Sequence, residues 1–437
     1  MAESESFEHF TRYVNPALGR FLKVVGRDYR FVHAQDCTLR TSLDETLTDW
    51  VGGFGALSFG HNPAFAKAAL ADALQSSAPH LYVDALNPFA GRLAQALVHA
   101  AGEPFETCFF ANGGAEAVEA ALKAAVAASG RPKILYAEGG YHGTTLGALG
   151  CMAQGLYREP FEGLLPRGFQ SVPFGDSAAL ARALASEPAA AFLVEPIQME
   201  AGVRIASSEY LAEAKRLCHA AGSLLVLDEI QTGLGRTGKP FAFQHTPIQP
   251  DIVIVGKALG AGLVPISAAI FASGIWQRAY GSLLRSEIHN STLGGNAVCC
   301  AVGIAVLEHL ASGELLEQVR QRSAQLSLGL SRVLEGRRSV QRVSLRGLLG
   351  GIQLRPVSHP WATWAGLGMP ELEPQPSSAA LMVQRLAKLG ILAHLCGHDW
   401  SVLRIEPPLT VSARQCDEFI TALATSLDWL EENAFDE

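Results

Sequence analysis

Residues 224–262 read LLVLDEIQTGLGRTGKPFAFQHTPIQPDIVIVGKALGAG and contain two short apolar runs, Leu224–Leu227 and Ile252–Val255. The length of these runs, their β-branched residues and the breakers beside them predict two β-strands. A charged residue follows each run: Asp228 directly, and Lys257 after an intervening glycine. In an open α/β sheet ligands bind at the carboxyl ends of the strands, and a charge is costly to bury without a partner. The stretch therefore predicts an α/β fold with a functional site at this edge of the sheet.

The pattern alone leaves two interpretations for each of these charged residues. Lys257 stands between an apolar strand and the small, flexible run 258–262. A lysine whose ammonium is desolvated loses proton affinity and becomes a usable nucleophile, whereas an ordinary lysine at a strand end is simply exposed. Asp228 is either a site carboxylate or a helix cap or loop anchor for the polar residues that follow it.

The texts LDEIQTGLGRTG at 227–238 and DIVIVGKALGAG at 251–262 resemble the cofactor core of the class III aminotransferases. That family has the fold type I architecture and uses pyridoxal 5′-phosphate (PLP). The resemblance implies an imine link between Lys257 and the cofactor aldehyde, with Asp228 facing the pyridine nitrogen and Gln231 near the ring hydroxyl. A carboxylate beside the ring nitrogen keeps that nitrogen protonated, and the pyridinium accepts the electrons left when the substrate carbon loses its proton.

Composition narrows the class of protein. The chain has 437 residues, of which 49% are hydrophobic and 17% charged, so we expect a well-buried globular protein of two domains. The net charge of −8 argues against nucleic-acid or anionic-membrane partners. No apolar run reaches the roughly 18 residues of a membrane helix, and the first residues lack the pattern of a signal peptide. The eight cysteines show no C-x-x-C pair or metal-site spacing, which favours reduced thiols in a cytoplasmic protein and no metal.

The resemblance covers nearly the whole chain, from about residue 11 to the C-terminus. It implies a large PLP-binding domain over residues 56–335, with a mostly parallel seven-stranded sheet flanked by helices. A smaller α+β domain is expected from the N-terminal segment 1–55 and the C-terminal segment 336–437. In the N-terminal segment, alternating polar and apolar pieces predict a hairpin with its turn near Ser42–Glu45.

A second candidate element of the site begins with a strand predicted at Thr107–Phe110. A glycine turn, Asn112–Ala115, leads from it into a strongly helical run with acids near its start. Free N–H groups and the helix dipole make such a helix start an anion site, although a glycine turn before a helix is often only packing. In the family this position binds the cofactor phosphate, here through the amides of Gly114 and Ala115. The family text Asn-Ser-Gly is Asn-Gly-Gly in this chain, so backbone amides must carry more of the binding.

The resemblance assigns further cofactor contacts to Tyr141, His142, Glu195 and Thr292. Tyr141 matches the aromatic that stacks on the cofactor ring; the alternative is a half-buried tyrosine on a loop. Thr292 matches a threonine whose hydroxyl reaches the phosphate of the neighbouring subunit's cofactor, and the alternative is a capping or turn residue. If the resemblance holds, the protein works as a homodimer.

Two residues are candidates for substrate binding. Arg404 ends a short apolar run and is either an exposed strand-end arginine or, as in the family, a clamp for a substrate carboxylate in fork geometry. Glu200 would be its partner when no carboxylate is present. An uncharged amine tail would then enter with the pair closed, and 2-oxoglutarate with the pair broken. Met199 stands where the family has glycine, and it either narrows the pocket or simply packs.

The C-terminal segment is predicted to contain a strand over Leu345–Leu354. Residues 356–378 then break the pattern with five prolines and two tryptophans, and look like an insertion relative to the family. A loop of this length in a compact domain is usually functional or mobile. Trp361 and Trp364 line the substrate entrance, form a partner surface, or take part in ordinary packing.

Three phrases are most similar to those of putrescine and diamine aminotransferases: VGGFGALSFGHNP at 51–63, VPFGD at 172–176 and RIEPPLTVSARQC at 404–416. They imply transfer of a terminal amino group from a diamine or other ω-amine to 2-oxoglutarate or pyruvate, in two alternating half-reactions. Other members act on ornithine, acetylornithine or 4-aminobutyrate, and the tryptophan-containing insertion leaves room for a bulkier aldehyde of a natural-product pathway. A family aminomutase or decarboxylating member and a non-catalytic homologue are the remaining alternatives.

Overall fold

The computed structural model describes residues 3–24, 27, 29–152 and 155–436. The helices are α1 (Glu3–Tyr13), α2 (Pro16–Val24), α3 (Ala64–Gln75), α4 (Pro88–Ala101), α5 (Gly114–Ser129), α6 (Leu146–Gly150), α7 (Ser177–Ser186), α8 (Ser208–Ala220), α9 (Ile275–Tyr280), α10 (Ala297–Ala311), α11 (Glu314–Leu334), α12 (Ser378–Ala387) and α13 (Ala413–Ala434). Short 3₁₀ helices lie at Gly52–Gly55, Glu159–Leu164, Ala242–His245, Lys257–Gly260, Pro360–Ala362 and Pro370–Leu372. The strands are β1 (Phe31–Gln35), β2 (Thr38–Thr41), β3 (Thr46–Asp49), β4 (Phe105–Ala111), β5 (Ile134–Ala137), β6 (Phe169–Val172), β7 (Ala191–Val194), β8 (Ile197–Gln198), β9 (Arg204–Ile205), β10 (Leu224–Asp228), β11 (Ile252–Val255), β12 (Ser267–Ala272), β13 (Val340–Arg346), β14 (Leu349–Leu354), β15 (Ile391–Leu392) and β16 (Val402–Ile405).

A seven-stranded sheet forms the centre of the structure, with the spatial order β4-β12-β11-β10-β7-β5-β6. The strands from β11 to β6 run parallel, and β12 is antiparallel to both of its neighbours. Every residue of β7, β11 and β12 is buried, as expected of strands covered by helices on both faces. The mostly parallel seven-stranded sheet predicted from the sequence is confirmed.

The two apolar runs Leu224–Leu227 and Ile252–Val255 lie in the neighbouring strands β10 and β11. Asp228 is the last residue of β10, and the parallel register pairs it with Ile254 of β11. Lys257 comes two residues after the end of β11, so both charged residues lie at the same edge of the sheet. The carboxyl end of β4 leads into the start of α5, as the glycine turn predicted.

The two ends of the chain meet in a smaller sheet of the order β1-β2-β3-β15. The turn 42–45 between β2 and β3 confirms the predicted hairpin, and β15 from the C-terminal segment pairs with β3 in parallel. Beside this sheet the ring of Trp50 stacks on Phe419 of α13, with centroids 3.8 Å apart, and both side chains are fully buried. These contacts join the N-terminal and C-terminal segments into one body; the domain boundaries at 55/56 and 335/336 stay predictions.

The C-terminal segment departs from prediction at residues 340–354. The strand predicted over Leu345–Leu354 is confirmed for Leu349–Leu354, but its first part is wrong, because a tight turn there joins β14 to the antiparallel strand β13. Gly347 in that turn has a φ of +61°, and a Cβ at this position would lie 2.4 Å from the backbone of Thr237. Only glycine fits this left-handed, crowded position, so Gly347 forms the turn after β13, inside the range that was predicted as one strand.

The irregular segment 356–378 packs against the body of the protein. Trp364 is buried, with its ring edge-to-face on Trp400 at 6.0 Å. Trp361 is half-exposed and donates a hydrogen bond from Nε1 to the carbonyl of Asn433 at 3.0 Å. Of the interpretations left open for this segment, these contacts favour packing against the C-terminal helix.

Within the part of the chain that the structure describes, no single helix has the length and apolar composition to cross a membrane. The helices α10 and α11 pass that test only when taken together, and they bend by 65° at their junction.

We expect Trp50→Ala to lower the free energy of unfolding by about 3–5 kcal/mol, because it leaves a large cavity against Phe419. Trp361→Ala removes the same side chain at a half-exposed position and should cost about 1 kcal/mol. Urea unfolding followed by far-ultraviolet circular dichroism measures both values. Equal losses in the two variants would contradict the packing described here.

Candidate active site

A cavity at the carboxyl edge of the large sheet is lined by most of the residues that the sequence assigned to a cofactor. Its empty volume, with the open mouth included, is about 580 Å³. The lining residues are Gly114, Ala115, Tyr141, His142, Gly143, Glu195, Ile197, Asp228, Ile230, Gln231, Thr232 and Lys257. The remaining assigned residues, Glu200, Arg404 and Thr292, do not belong to this lining.

The carboxylate of Asp228 is buried in the cavity wall and is held from two sides. Its Oδ2 lies 2.7 Å from Nδ1 of His142, and its Oδ1 accepts a hydrogen bond from the backbone N–H of Ile230 at 3.0 Å. Asp228 therefore anchors the loop that follows β10 and also presents a fixed carboxylate to the cavity. The bond from Ile230 confirms the loop anchor, and the role of Asp228 toward a cofactor stays a prediction.

A second carboxyl group, Glu195, is buried near Asp228. Burial and the neighbouring charge of Asp228 raise the pKa of Glu195 well above its ordinary value, although the N–H of Tyr141 donates to it at 3.2 Å. Glu195 therefore holds its proton more tightly than an exposed glutamate.

The ring of Tyr141 lies near the rings of Tyr157 and His398, with centroids 5.9 Å and 5.8 Å away.

Lys257 is tethered inside the cavity. Its backbone is left-handed, with a φ of +42°, and its Nζ donates a hydrogen bond to Oε1 of Gln231 at 2.8 Å. Burial lowers the pKa of the amine, and the nearby carboxylates of Glu406 and Glu200 only partly offset that effect. This setting favours the site lysine over the exposed lysine at a strand end.

The start of α5 provides the predicted anion cradle. Gly113 is the N-cap residue, and the first amides of a helix have no partner within that helix. A Cβ at Gly114 would lie 2.9 Å from Ile230, and a Cβ at Gly143 would lie 2.5 Å from the side chain of Ala115. Larger residues would fill the cradle, so its glycines keep the backbone amides accessible to an anion.

Arg404 is fully buried, and the exposed strand-end interpretation is therefore wrong. Its guanidinium forms an ion pair with Glu200, the partner expected from the sequence, and a second one with Oε2 of Glu406 at 3.2 Å. Burial alone would lower the pKa of Arg404, but the two carboxylates outweigh burial and raise that pKa. Burial alone would raise the pKa of Glu200, but Arg404 outweighs burial and lowers it. The backbone N–H of Gly397 also donates to Glu200, at 2.7 Å.

Glu406 is the site residue that the sequence interpretation missed. It is fully buried, and both of its carboxylate oxygens accept from Nε2 of Gln231, at 2.9 Å and 3.0 Å. Glu406 thereby connects Arg404 through Gln231 to Lys257. The available signal was the spacing: Glu406 stands two residues after Arg404, just past the end of β16, and side chains two residues apart in extended backbone share a face.

Two further assignments stand outside the cavity. Thr292 is exposed in the turn before α10, next to Ser291, whose Oγ accepts from the side chain of Asn112 at 3.1 Å. Met199 is fully buried in a small apolar cluster with Val203 and Leu349 among others, so it packs and does not line the cavity.

Comparisons with known proteins agree with this geometry. A model of the family described as aminotransferase class III matches residues 25–427, and the chain belongs to that family. An aminotransferase named PigE from Serratia sp. (strain ATCC 39006) is 32% identical over 98% of this chain, which spans 54% of that protein's length. The ornithine aminotransferase of Toxoplasma gondii ME49 is 28% identical, with a TM-score of 0.85 over 99% of this chain and 96% of that one. Another structure of the Toxoplasma gondii enzyme has a TM-score of 0.84 at 28% identity, covers 99% of this chain and 95% of that one, and shows partial occupancy of PLP at its active site.

Membership in the family confirms the fold type I architecture and the expected cofactor, PLP. The groups of the cavity fit that cofactor. The amides of Gly114 and Ala115 suit its phosphate, the carboxylate of Asp228 suits its ring nitrogen, and the amine of Lys257 suits its aldehyde. The small residues of the cradle leave room for the phosphate beside the helix start.

We expect Lys257 in the cofactor-free protein to react with added PLP at half its maximal rate at a pH below 10.5, the ordinary pKa of a lysine amine. Only the deprotonated amine is nucleophilic, so a lowered pKa moves the rise in rate to lower pH. Stopped-flow absorbance across a pH series measures the profile, with Nα-acetyl-lysine as the reference amine. A midpoint equal to that of the reference would contradict the lowered pKa.

Proposed function

We propose that the protein transfers the terminal amino group of a diamine or other ω-amine to a 2-oxo acid, either 2-oxoglutarate or pyruvate. The observation that carries this proposal is the position of the Glu200–Arg404 pair, which is linked by Glu406 and Gln231 to the amine of Lys257. The site thus combines a reactive amine, Lys257, with an arginine, Arg404, that can bind a carboxylate when its partner Glu200 moves away. This combination suits two substrates, one with and one without a carboxylate at the end that does not react.

Each residue of the site has a role in this reaction. Bound PLP supplies the electron sink for the carbanion. Asp228, oriented by His142, would hold a proton on the ring nitrogen, and Lys257 Nζ takes and returns the proton at the carbon that bears the amine. The amides of Gly114 and Ala115 bind the phosphate, and Tyr141 forms an aromatic wall beside the ring.

Arg404 and Glu200 would distinguish donor from acceptor. With the pair closed, the arginine charge is neutralised and an amine tail without a carboxylate can lie against it. With the pair broken, the guanidinium can bind the far carboxylate of 2-oxoglutarate in fork geometry. Glu200 is the more accessible partner, at 13% side-chain exposure against 0% for Arg404, so we expect Glu200 to be the group that moves, with loss of its bond from the Gly397 amide.

A second candidate donor is ornithine. The likeness to the Toxoplasma gondii ornithine aminotransferase over almost the full length of both chains supports it. Two further alternatives are a bulkier aldehyde of a natural-product pathway as the acceptor and a family aminomutase as the outcome. A mutase needs no 2-oxo acid, so product analysis with and without the acceptor separates it from a transaminase.

The assembly we propose is a homodimer in the cytoplasm, without nucleic-acid or membrane partners. The segment before Thr292 carries large apolar side chains on its surface: Leu283 and Leu284 are 96% and 93% exposed. Apolar surface of this kind suits contact with a second copy of the chain. Thr292 would then reach the partner's cofactor phosphate.

We expect Lys257→Ala to lose the absorbance of protein-bound PLP in its imine form and to lower transamination by about 10³-fold or more, because the variant lacks both the nucleophile and the proton carrier. The assay is a panel of diamines, ornithine and 4-aminobutyrate, each with 2-oxoglutarate or pyruvate. Lys67→Ala, at an exposed position of α3, is the control and should behave as the wild type. Wild-type turnover in Lys257→Ala would refute the assignment.

We expect Thr292→Val to weaken PLP affinity by about tenfold, the loss of one hydrogen bond to a charged group. Fluorescence titration of the cofactor-free protein measures the affinity, and sedimentation velocity reports whether the protein is dimeric. Thr425→Val, at an exposed position of α13, is the matched control. Unchanged affinity in a dimeric Thr292 variant would remove this residue from the site.

A further inference from the structure

The buried cluster around Arg404 contains an excess of negative charge. One guanidinium is shared between two carboxylates, with Glu200 on one side and Glu406 on the other, 3.2 Å away. Both Arg404 and Glu406 are fully buried, so solvent does little to compensate the unequal charges. Two further cations act on Glu406: the amine of Lys257, by way of Gln231, and the buried guanidinium of Arg236, which bonds the carbonyl of Pro407.

Lys257 is a poor source of balancing charge. Burial lowers the pKa of its amine, which favours the neutral form. Its role as a nucleophile also requires the amine without its proton. Whenever Lys257 is neutral, Arg404 faces both Glu200 and Glu406 without that amine, and a cationic ligand group beside Glu200 would pair with the more accessible of the two carboxylates.

The fixed and the movable carboxylate differ in their surroundings. Glu406 is fully buried, and both of its carboxylate oxygens accept a hydrogen bond from Gln231. Glu200 is partly exposed and lies beside aromatic rings. The hydroxyl-bearing ring of Tyr157 and the ring of His398 lie 5.5 Å apart beside it, and burial, with a smaller contribution from the charge of Glu200, raises the pKa of Tyr157. An acid beside aromatic faces is a setting that attracts ammonium groups.

We propose that Glu406 is a specificity-determining residue, which keeps Arg404 neutralised even when Glu200 moves and so favours donors with an ammonium at the far end over donors with a carboxylate there. The inference rests on the proposed transamination and names its donor class: an unbranched diamine. A single carboxylate partner would leave the guanidinium free once Glu200 swings away. With Glu406 in place, the guanidinium stays shared and binds a substrate carboxylate less tightly.

The test compares three donors of equal chain length, 1,4-diaminobutane, 1-aminobutane and 4-aminobutyrate, with pyruvate as acceptor. In the wild type we expect kcat/KM to fall in that order. In Glu406→Gln the ratio of kcat/KM for 1,4-diaminobutane to that for 4-aminobutyrate should fall by about tenfold or more, mainly through KM. Glu406→Asp retains the charge and should keep the ratio nearer to that of the wild type. Glu432→Gln, at an exposed position of α13, is the matched control and should leave the ratio unchanged.

A second measurement needs no turnover. Calorimetric titration with glutarate, a dicarboxylate without an amine, should show about tenfold tighter binding to Glu406→Gln than to the wild type. The role of Glu406 would be overturned if two results came together in Glu406→Gln. The first is a ratio of kcat/KM for 1,4-diaminobutane to that for 4-aminobutyrate within twofold of the wild-type ratio, and the second is an unchanged affinity for glutarate. If the wild type turned over no amine at all, the proposed function would fail, and the glutarate result would still decide whether Glu406 weakens carboxylate binding. Circular dichroism of each variant shows whether it is folded.

Discussion

The parallel pairing of β10 with β11 is the constraint on which the site depends. It brings a carboxylate and an amine, distant in sequence, to the same edge of a sheet in which β7, β11 and β12 are wholly buried. Neither group could be held there without partners, because an unpaired charge is costly to bury. Asp228 is held by His142 and the loop amide of Ile230, and Lys257 is held by Gln231.

Much of the fold is visible in the sequence because local signals agree with the tertiary structure. The helix α5 follows the predicted strand and glycine turn, and α4 begins after an asparagine whose side chain accepts from the amides of the first turn. The prediction failed where β13 joins β14 because the turn between them is set by a contact. Gly347 approaches the backbone of Thr237, and no local pattern distinguishes that glycine from one within an apolar strand.

The site was predictable to the extent that its residues interrupt a pattern. Asp228, Lys257 and Arg404 each stand out as charges at the ends of apolar runs, and the resemblance to a family gave them roles. Glu406 stands out less, since an acid near a strand end is ordinarily exposed. Its importance appears only with its partner Gln231, which is 175 positions away in the sequence and donates to both carboxylate oxygens.

The meeting of the two chain ends has a consequence for biosynthesis. The hairpin of β2 and β3 and the ring of Trp50 leave the ribosome well before their partners β15 and Phe419 are translated. Until then the nascent chain carries an unpaired strand edge and a large uncovered aromatic, which are features that invite aggregation. Chaperone binding to the region of β2 and β3 would bridge this interval, and folding of the small sheet is expected to wait until β15 has been made.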